Sequence, residues 1–200
     1  RWAAADAPDH SEVMHSDDHG ASWTTSGTGL PNDIGRMALG VQPDRVDLLY
    51  AFAADRDGVL HGLYRLDGPT RPWKRVTGEP DVLPGKQGSY DLAIAVDPSD
   101  DATVYLGGDH MGASPWAGSV WRCTIQKNSS GYNVKNFRLI GTHAHADVHV
   151  LALTPDDPNE LWCGCDGGVF LNRNPQGSGE FAGANNGLAC LCSNFIAQHP

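Results

Sequence analysis

The residues best suited to chemistry in this chain are a run of imidazoles and a set of carboxylates. His143, His145, Asp147 and His149 recur at every second position. In an extended strand that spacing puts all four side chains on one side. Successive members then stand ~6.6 Å apart, too far for all four to hold one ion without a bend. Two of them plus a group from a neighbouring strand would suffice. In the metal reading, His145, Asp147 and His149 ligate a divalent ion, the one candidate cofactor. A hairpin about Pro155–Pro158 brings Cys165 roughly opposite His149, with Cys190 and Cys192 nearby. Imidazole, carboxylate and thiolate together suit zinc or a similar metal. The same residues serve as a polar cluster facing a substrate, or as a hydrogen-bond network holding loops. All three readings remain open at this point.

The carboxylates allow acid–base chemistry. Asp91, Asp109, Asp147 and Asp166 are the candidates for a catalytic acid and its partner. Glycoside hydrolysis needs one carboxylic acid and one carboxylate flanking the bond, ~5–9.5 Å apart. Trp116, in a long turn, is placed to stack on a sugar ring. Arg36, Tyr90, His110, His145 and His149 complete the candidate substrate-binding set. Gripping a substrate carboxylate takes several arginines. Arg36 and Arg56 are the ones expected on this face, too few for a sialidase.

What must position these residues is a repeat. An alternating apolar strand, a turn containing Pro and a second apolar strand recur at Gly35–Tyr50, Tyr90–Tyr105 and Asp147–Trp162. A further copy starts at Ser193–Pro200. The marker prolines Pro43, Pro98, Pro155 and Pro200 lie 55, 57 and 45 residues apart. Each unit continues through a Gly- or Asp-rich turn into a third and fourth strand. Four short antiparallel strands repeated at ~40–50 residues predict β-propeller blades. The expected division is a partial blade over 1–27, blades over 31–80, 88–141 and 145–185, and a first strand over 193–200. Both ends fall inside blades, so a fragment of a larger propeller is expected. In this fold the loops entering first strands and the turns between second and third strands open on one face. That face collects the candidates above.

One turn is more specific. Ser16-Asp17-Asp18-His19-Gly20-Ala21-Ser22-Trp23 resembles the Asp box, Ser-x-Asp-x-Gly-x-Thr-Trp, with Ser22 in place of Thr. Asp18 can accept backbone N–H groups across the turn, Gly20 supplies positive φ, and Ser16 completes the turn. Trp23 is expected to be buried between blades. A degraded copy lies at Asn172–Gly177. The Ser16–Trp23 turn with Gly27–Pro31 after it, Gly35–Tyr50, His145–His149 and Cys165–Phe170 together resemble bacterial Asp-box repeat proteins of the sialidase-like and sortilin-like superfamily, often labelled glycosyl hydrolases. The resemblance implies an all-β propeller with a structural role for Ser16, Asp18, Gly20 and Trp23. It further implies a secreted or cell-surface carbohydrate-active protein that acts on or binds glycans at the channel mouth. The alternative is a non-catalytic propeller binding a polysaccharide or a protein, such as another chain completing the ring.

Composition narrows the partners. Lys and Arg number 14 against 24 Asp and Glu, a formal charge of -10. That disfavours nucleic acid and anionic membrane surfaces, which need clustered cations. No apolar stretch approaches the ~18 residues of a membrane span. Five cysteines are too sparse for a disulfide scaffold and read as buried thiols.

Overall fold

The computed structural model describes residues 1–6, 11–155 and 157–188, and every regular element among them is a strand. A three-stranded antiparallel sheet comes first, from β1 (Trp2–Asp6), β2 (Ser11–His15) and β3 (Thr24–Thr25). Three four-strand meanders follow. The first holds β4 (Ile34–Gln42), β5 (Arg45–Asp55), β6 (Leu60–Asp67) and β7 (Lys74–Thr77). The second holds β8 (Ala93–Asp97), β9 (Asp100–Met111), β10 (Ala117–Asn128) and β11 (Gly131–Leu139). The third holds β12 (Val148–Thr154), β13 (Asp157–Cys165), β14 (Gly168–Asn172) and β15 (Phe181–Gly183). Consecutive strands within each meander pair antiparallel. The parallel pairs Tyr132↔Val76 and Asn133↔Thr77 fuse the first two meanders into one eight-stranded sheet.

The prolines mark equivalent places. Gln42 pairs with Arg45, Asp97 with Asp100 and Thr154 with Asp157, so Pro43, Pro98 and Pro155 each begin the connection from first to second strand. Pro200 and the expected strand over 193–200 lie outside the described residues. The first strands β4, β8 and β12 stand side by side. Leu39, Ile94 and Leu151, with the three prolines, line a shared apolar cavity of about 290 Å³ between them. Equivalent positions of successive repeats therefore converge on one axis.

The apolar alternation has a packing cause. In β5 the run Leu48–Ala54 is buried throughout. Successive side chains point to opposite faces. Leu48, Tyr50, Phe52 and Ala54 enter a core shared with the second meander. Leu49, Ala51 and Ala53 enter one shared with the three-stranded sheet through Val13. A third core joins Ala93, Ala95 and Tyr105 to Val148, Leu151 and Leu161 of the third meander. A strand covered on both faces reads as a continuous apolar run rather than a strict alternation.

One expectation needs correcting here. Trp23 is 39% exposed, not buried between sheets. It leaves the turn just before the two-residue β3 and covers Gly20, whose Cα hydrogen faces the indole ring. The buried anchor is Trp73, 5% exposed, whose Nε1 donates to the Ser26 carbonyl at 3.1 Å. Its ring lies against Gly27, where a Cβ would come within 2.6 Å of the indole. The Ser16–Trp23 turn itself is closed as its residue types suggest. Asp18 Oδ1 accepts from Ser16 Oγ (2.8 Å) and Ser22 N (2.9 Å), and Asp18 Oδ2 accepts from Ser22 Oγ (2.6 Å). These bonds hold the Asp18 carboxyl well below the usual range. The Asn172–Gly177 turn is a looser version, with Asn174 Oδ1 accepting from Gly177 N at 3.0 Å.

In the second meander β10 and β11 meet at a tight turn, Ser129-Ser130. Asn128 closes that turn by accepting from Ser130 N at 2.8 Å.

Candidate functional site

The strand directions define two ends of the molecule. The proline turns lie at one. At the other lie the connection from β7 to β8, the turn from β9 to β10, the segment preceding β12 and the Asp166-Gly167 turn from β13 to β14. This second end gathers the acids.

Asp91 lies near the end of the β7–β8 connection and is wholly buried. His149 Nδ1 lies 3.3 Å from Asp91 Oδ1, off the line of a hydrogen bond, and neither Asp91 oxygen has a hydrogen-bond partner among the described residues. The opposite ring nitrogen, His149 Nε2, lies 2.7 Å from Asp166 Oδ1. His149 thus stands between a buried carboxyl and one at a hairpin turn. Burial first, then the carboxylate of Asp147 within proton-sharing reach, push Asp91 up to about 8. The charges of Asp166 and Asp109 add to it. Burial and the neighbouring acids therefore favour the protonated form of Asp91.

Asp109 is buried near the end of β9. Burial raises its carboxyl, opposed by backbone N–H groups of His110, Gly85 and Gln87. Gly85 N donates to Oδ2 at 2.7 Å. Its main chain ties the site together: Asp109 N donates to Val82 O (3.0 Å), and Asp109 O accepts from Asp147 N (2.9 Å). Gln87 Nε2 donates to Asp147 Oδ1 at 3.4 Å. Asp147 holds φ +64°, a left-handed conformation that non-glycine residues adopt at a cost.

That φ explains why the period-2 expectation fails. The segment before Val148 is turn and bend rather than strand, with His145 making an isolated bridge to Ala117. His143 turns out toward Glu180 (3.7 Å). His145 is exposed, its Nδ1 3.1 Å from the Ala146 carbonyl, its ring against Gly167. The structure therefore does not gather His145, Asp147 and His149 as a ligand set. Among the described residues no group of three or more His, Cys, Asp or Glu side chains could hold a metal ion. Cys165 pairs opposite Val148, next to His149, as expected. The Cys163 thiol hydrogen-bonds it and, with the N–H groups of Gly167 and His145, lowers it to about 7. Cys190 and Cys192 lie outside the described residues.

The rim is aromatic and cationic. Tyr90 is exposed and meets the His149 ring edge-on, centroids 4.8 Å apart. Arg36 donates through Nη1 to the Tyr90 carbonyl. Trp116 is 56% exposed, 6.0 Å from the His110 ring. Arg36 and Arg56 line an adjoining cavity of about 460 Å³ with Asp55 and Ser89.

Two solved structures are similar to this chain in fold. The Niastella koreensis GH74 enzyme superposes with a TM-score of 0.59 over 90% of this chain at 16% identity. An ancestral GH74 enzyme superposes with 0.51 over 92% at 15% identity. The fold is β-propeller-like. The chain spans about a quarter of either structure's length, 27% and 24%. No family model matches the sequence, and none of the curated proteins does.

In this propeller-like frame, the sequence-predicted Asp91, Asp109, Asp147, Asp166 and His149 come together, with Tyr90 at their edge. His145 and His110 flank them, and Trp116 stands off on its turn. Sequence reasoning missed Gly85 and Gln87, which brace Asp109 and Asp147 from the β7–β8 connection. The signal available was the Pro84-Gly85-Lys86-Gln87-Gly88 composition of a tight loop entering a repeat.

Proposed function

We propose that the chain is part of a carbohydrate-active β-propeller of four-stranded blades, glycoside-hydrolase-like, working on glycans at the acid-rich end. The Ser16–Trp23 turn is its Asp box. The observation that carries the reading is Asp91, a wholly buried carboxyl among Asp147, Asp109 and Asp166, surroundings that favour its protonated form. A leaving glycosidic oxygen needs such a proton. Asp91 is too buried to reach a substrate. His149, half-buried and 3.3 Å away, connects it to the open end, and Asp166 at 2.7 Å orients the imidazole. Asp91 and Asp147 stand within proton-sharing reach, closer than the ~5 Å of a retaining pair. They act as one unit, so the carboxylate across the scissile bond is Asp166 or comes from the remainder of the propeller. Tyr90 and Trp116 offer ring faces to sugars. The likeness to GH74 enzymes, β-propeller glycoside hydrolases, supports the class and, at such low identity, not the substrate. A polymeric glycan substrate would place the protein outside the cytoplasm.

The test is release of reducing ends from a panel of neutral β-glucans, wild type beside Asp91→Asn and His149→Ala. The expected loss is roughly 10²-fold or more in kcat/KM for each. Binding of a glycan with no hydrolysis would move the protein to the alternative, a glycan-binding propeller. Unchanged turnover in both variants would remove the cluster from the chemistry.

A further inference from the structure

We propose a second ligand site, at the opposite end of the molecule, that takes an acidic carbohydrate bearing sulfate or carboxylate groups. Five cationic side chains, Arg45, Arg65, Arg71, Lys74 and Lys127, converge on one cavity of about 580 Å³, with Asp67 and Tyr132 in its wall. The strand directions place it at the proline-turn end. Arg45 starts β5, Arg65 and Asp67 end β6, Lys74 starts β7 and Lys127 lies near the end of β10. Its walls are the first and second meanders, where β7 meets β11.

The acids in reach are already engaged. Asp67 holds Arg65 Nε at 2.9 Å and accepts from Tyr132 Oη at 2.6 Å. Arg45 pairs with Asp101. Arg65 is 8% exposed, donates to Tyr50 Oη at 2.6 Å, and lies 4.7 Å over the Tyr132 ring. This buried network fixes the floor. Arg71, Lys74 and Lys127 are exposed above it and make no side-chain ion pair among the described residues. Five cations against two acids leave a local excess of positive charge in a chain of net charge -10. Single-signed charge in a concave site raises the local concentration of the opposite ion.

The shape argues for a carbohydrate rather than a single small anion. A second cavity of about 510 Å³ shares Lys74, Lys127 and Tyr132 and continues along Asn128, Ser129, Ser130 and Thr77. A groove cationic at one end and rich in hydroxyls and amides at the other matches a polymer that alternates anionic groups with sugar hydroxyls. Arg75, in the second cavity, raises the share to six of the chain's 14 Lys and Arg.

The experiment is titration calorimetry of the protein with dextran sulfate, polygalacturonate, uncharged dextran and a DNA duplex, at low salt. Lys74→Ala/Lys127→Ala is compared with Lys135→Ala/Arg173→Ala, which removes the same charge away from the groove. The groove pair should weaken binding of at least one acidic polysaccharide roughly three- to tenfold. The control pair should bind as wild type, and uncharged dextran should give no heat. Equal weakening by both pairs, no binding of either acidic polymer, or equal affinity for the duplex would overturn the proposal. Both pairs alter exposed side chains, and their melting temperatures check that each folds. Loss of this binding leaves the acid cluster untouched, so the two sites succeed or fail separately.

Discussion

Replacing Asp91 by Asn should make the protein more stable above about pH 6 while removing its proposed chemistry. An unfolded Asp ionises near ~3.9. Folded Asp91 is pushed up to about 8. Between those values the folded protein keeps a proton that the unfolded chain has released. The stability tied to that proton is complete below about pH 4. It falls by at most ~1.4 kcal/mol per pH unit as pH rises, and levels off above about pH 8. At pH 7 the accumulated loss is on the order of 2–4 kcal/mol, with the lower end set by sharing of the proton with Asp147. Asn has the same shape, no charge, and an amide that can donate to Asp147. The variant should therefore shed most of the slope. Urea melts at pH 5, 6, 7 and 8 measure it directly. Curves for wild type and variant that run parallel across that range would refute the reasoning, since Asp91 would then ionise as an ordinary carboxylate. A protein that gains stability as it loses a strained acid is trading one property against the other.

Further outcomes follow from the packing. Trp73→Ala should cost roughly 3–5 kcal/mol in a urea melt, and Trp23→Ala about 1 kcal/mol, because only Trp73 is buried. Gly108→Ala would set a Cβ 2.1 Å from the Val82 carbonyl oxygen, the acceptor for Asp109 N. It should lower the melting temperature and reduce any turnover by displacing Asp109. Tyr132→Phe removes the 2.6 Å bond to Asp67 and should cost roughly 1–3 kcal/mol by thermal melt, because the acceptor is charged and partly shielded.

The fold was legible where local chemistry is repeated. Pro43, Pro98 and Pro155 announce their turns because Pro presets φ and cannot donate to a ladder. Strand lengths were less legible. The β10–β11 hairpin runs out to Ser129-Ser130 through Lys127 and Asn128, polar residues on an exposed extension that no core requires and no apolar alternation marks. At the site, the four acids and His149 were legible as residue types at repeat-equivalent places. Among the described residues the metal arrangement does not form. Its geometry assumed an extended backbone, and one left-handed residue, Asp147, turns the segment. Trp23 misled because motif and burial were treated as one signal, whereas burial depends on what packs against the indole. Gly85 braces Asp109 through a backbone N–H, which every residue type but Pro carries, so the tight-loop composition marks the place and not the contact, nor the Gln87 side-chain bond to Asp147.

The three cores have a consequence for how disturbance travels. Each lies between one meander, or the three-stranded sheet, and its next neighbour, and among the described residues no core spans three of them. Cooperativity is then nearest-neighbour, like links along a line. Damage at Val13 reaches Leu161 only by way of two intervening meanders. The amides of the fused eight-stranded sheet, flanked by a core on either side, open by the rarest route, while β1–β3 and β14–β15 exchange with solvent through smaller local events. The acid cluster sits where the second and third meanders meet, on the boundary between these two regimes. Its carboxyls can therefore rearrange around a ligand without opening the part of the molecule that holds the rest in register.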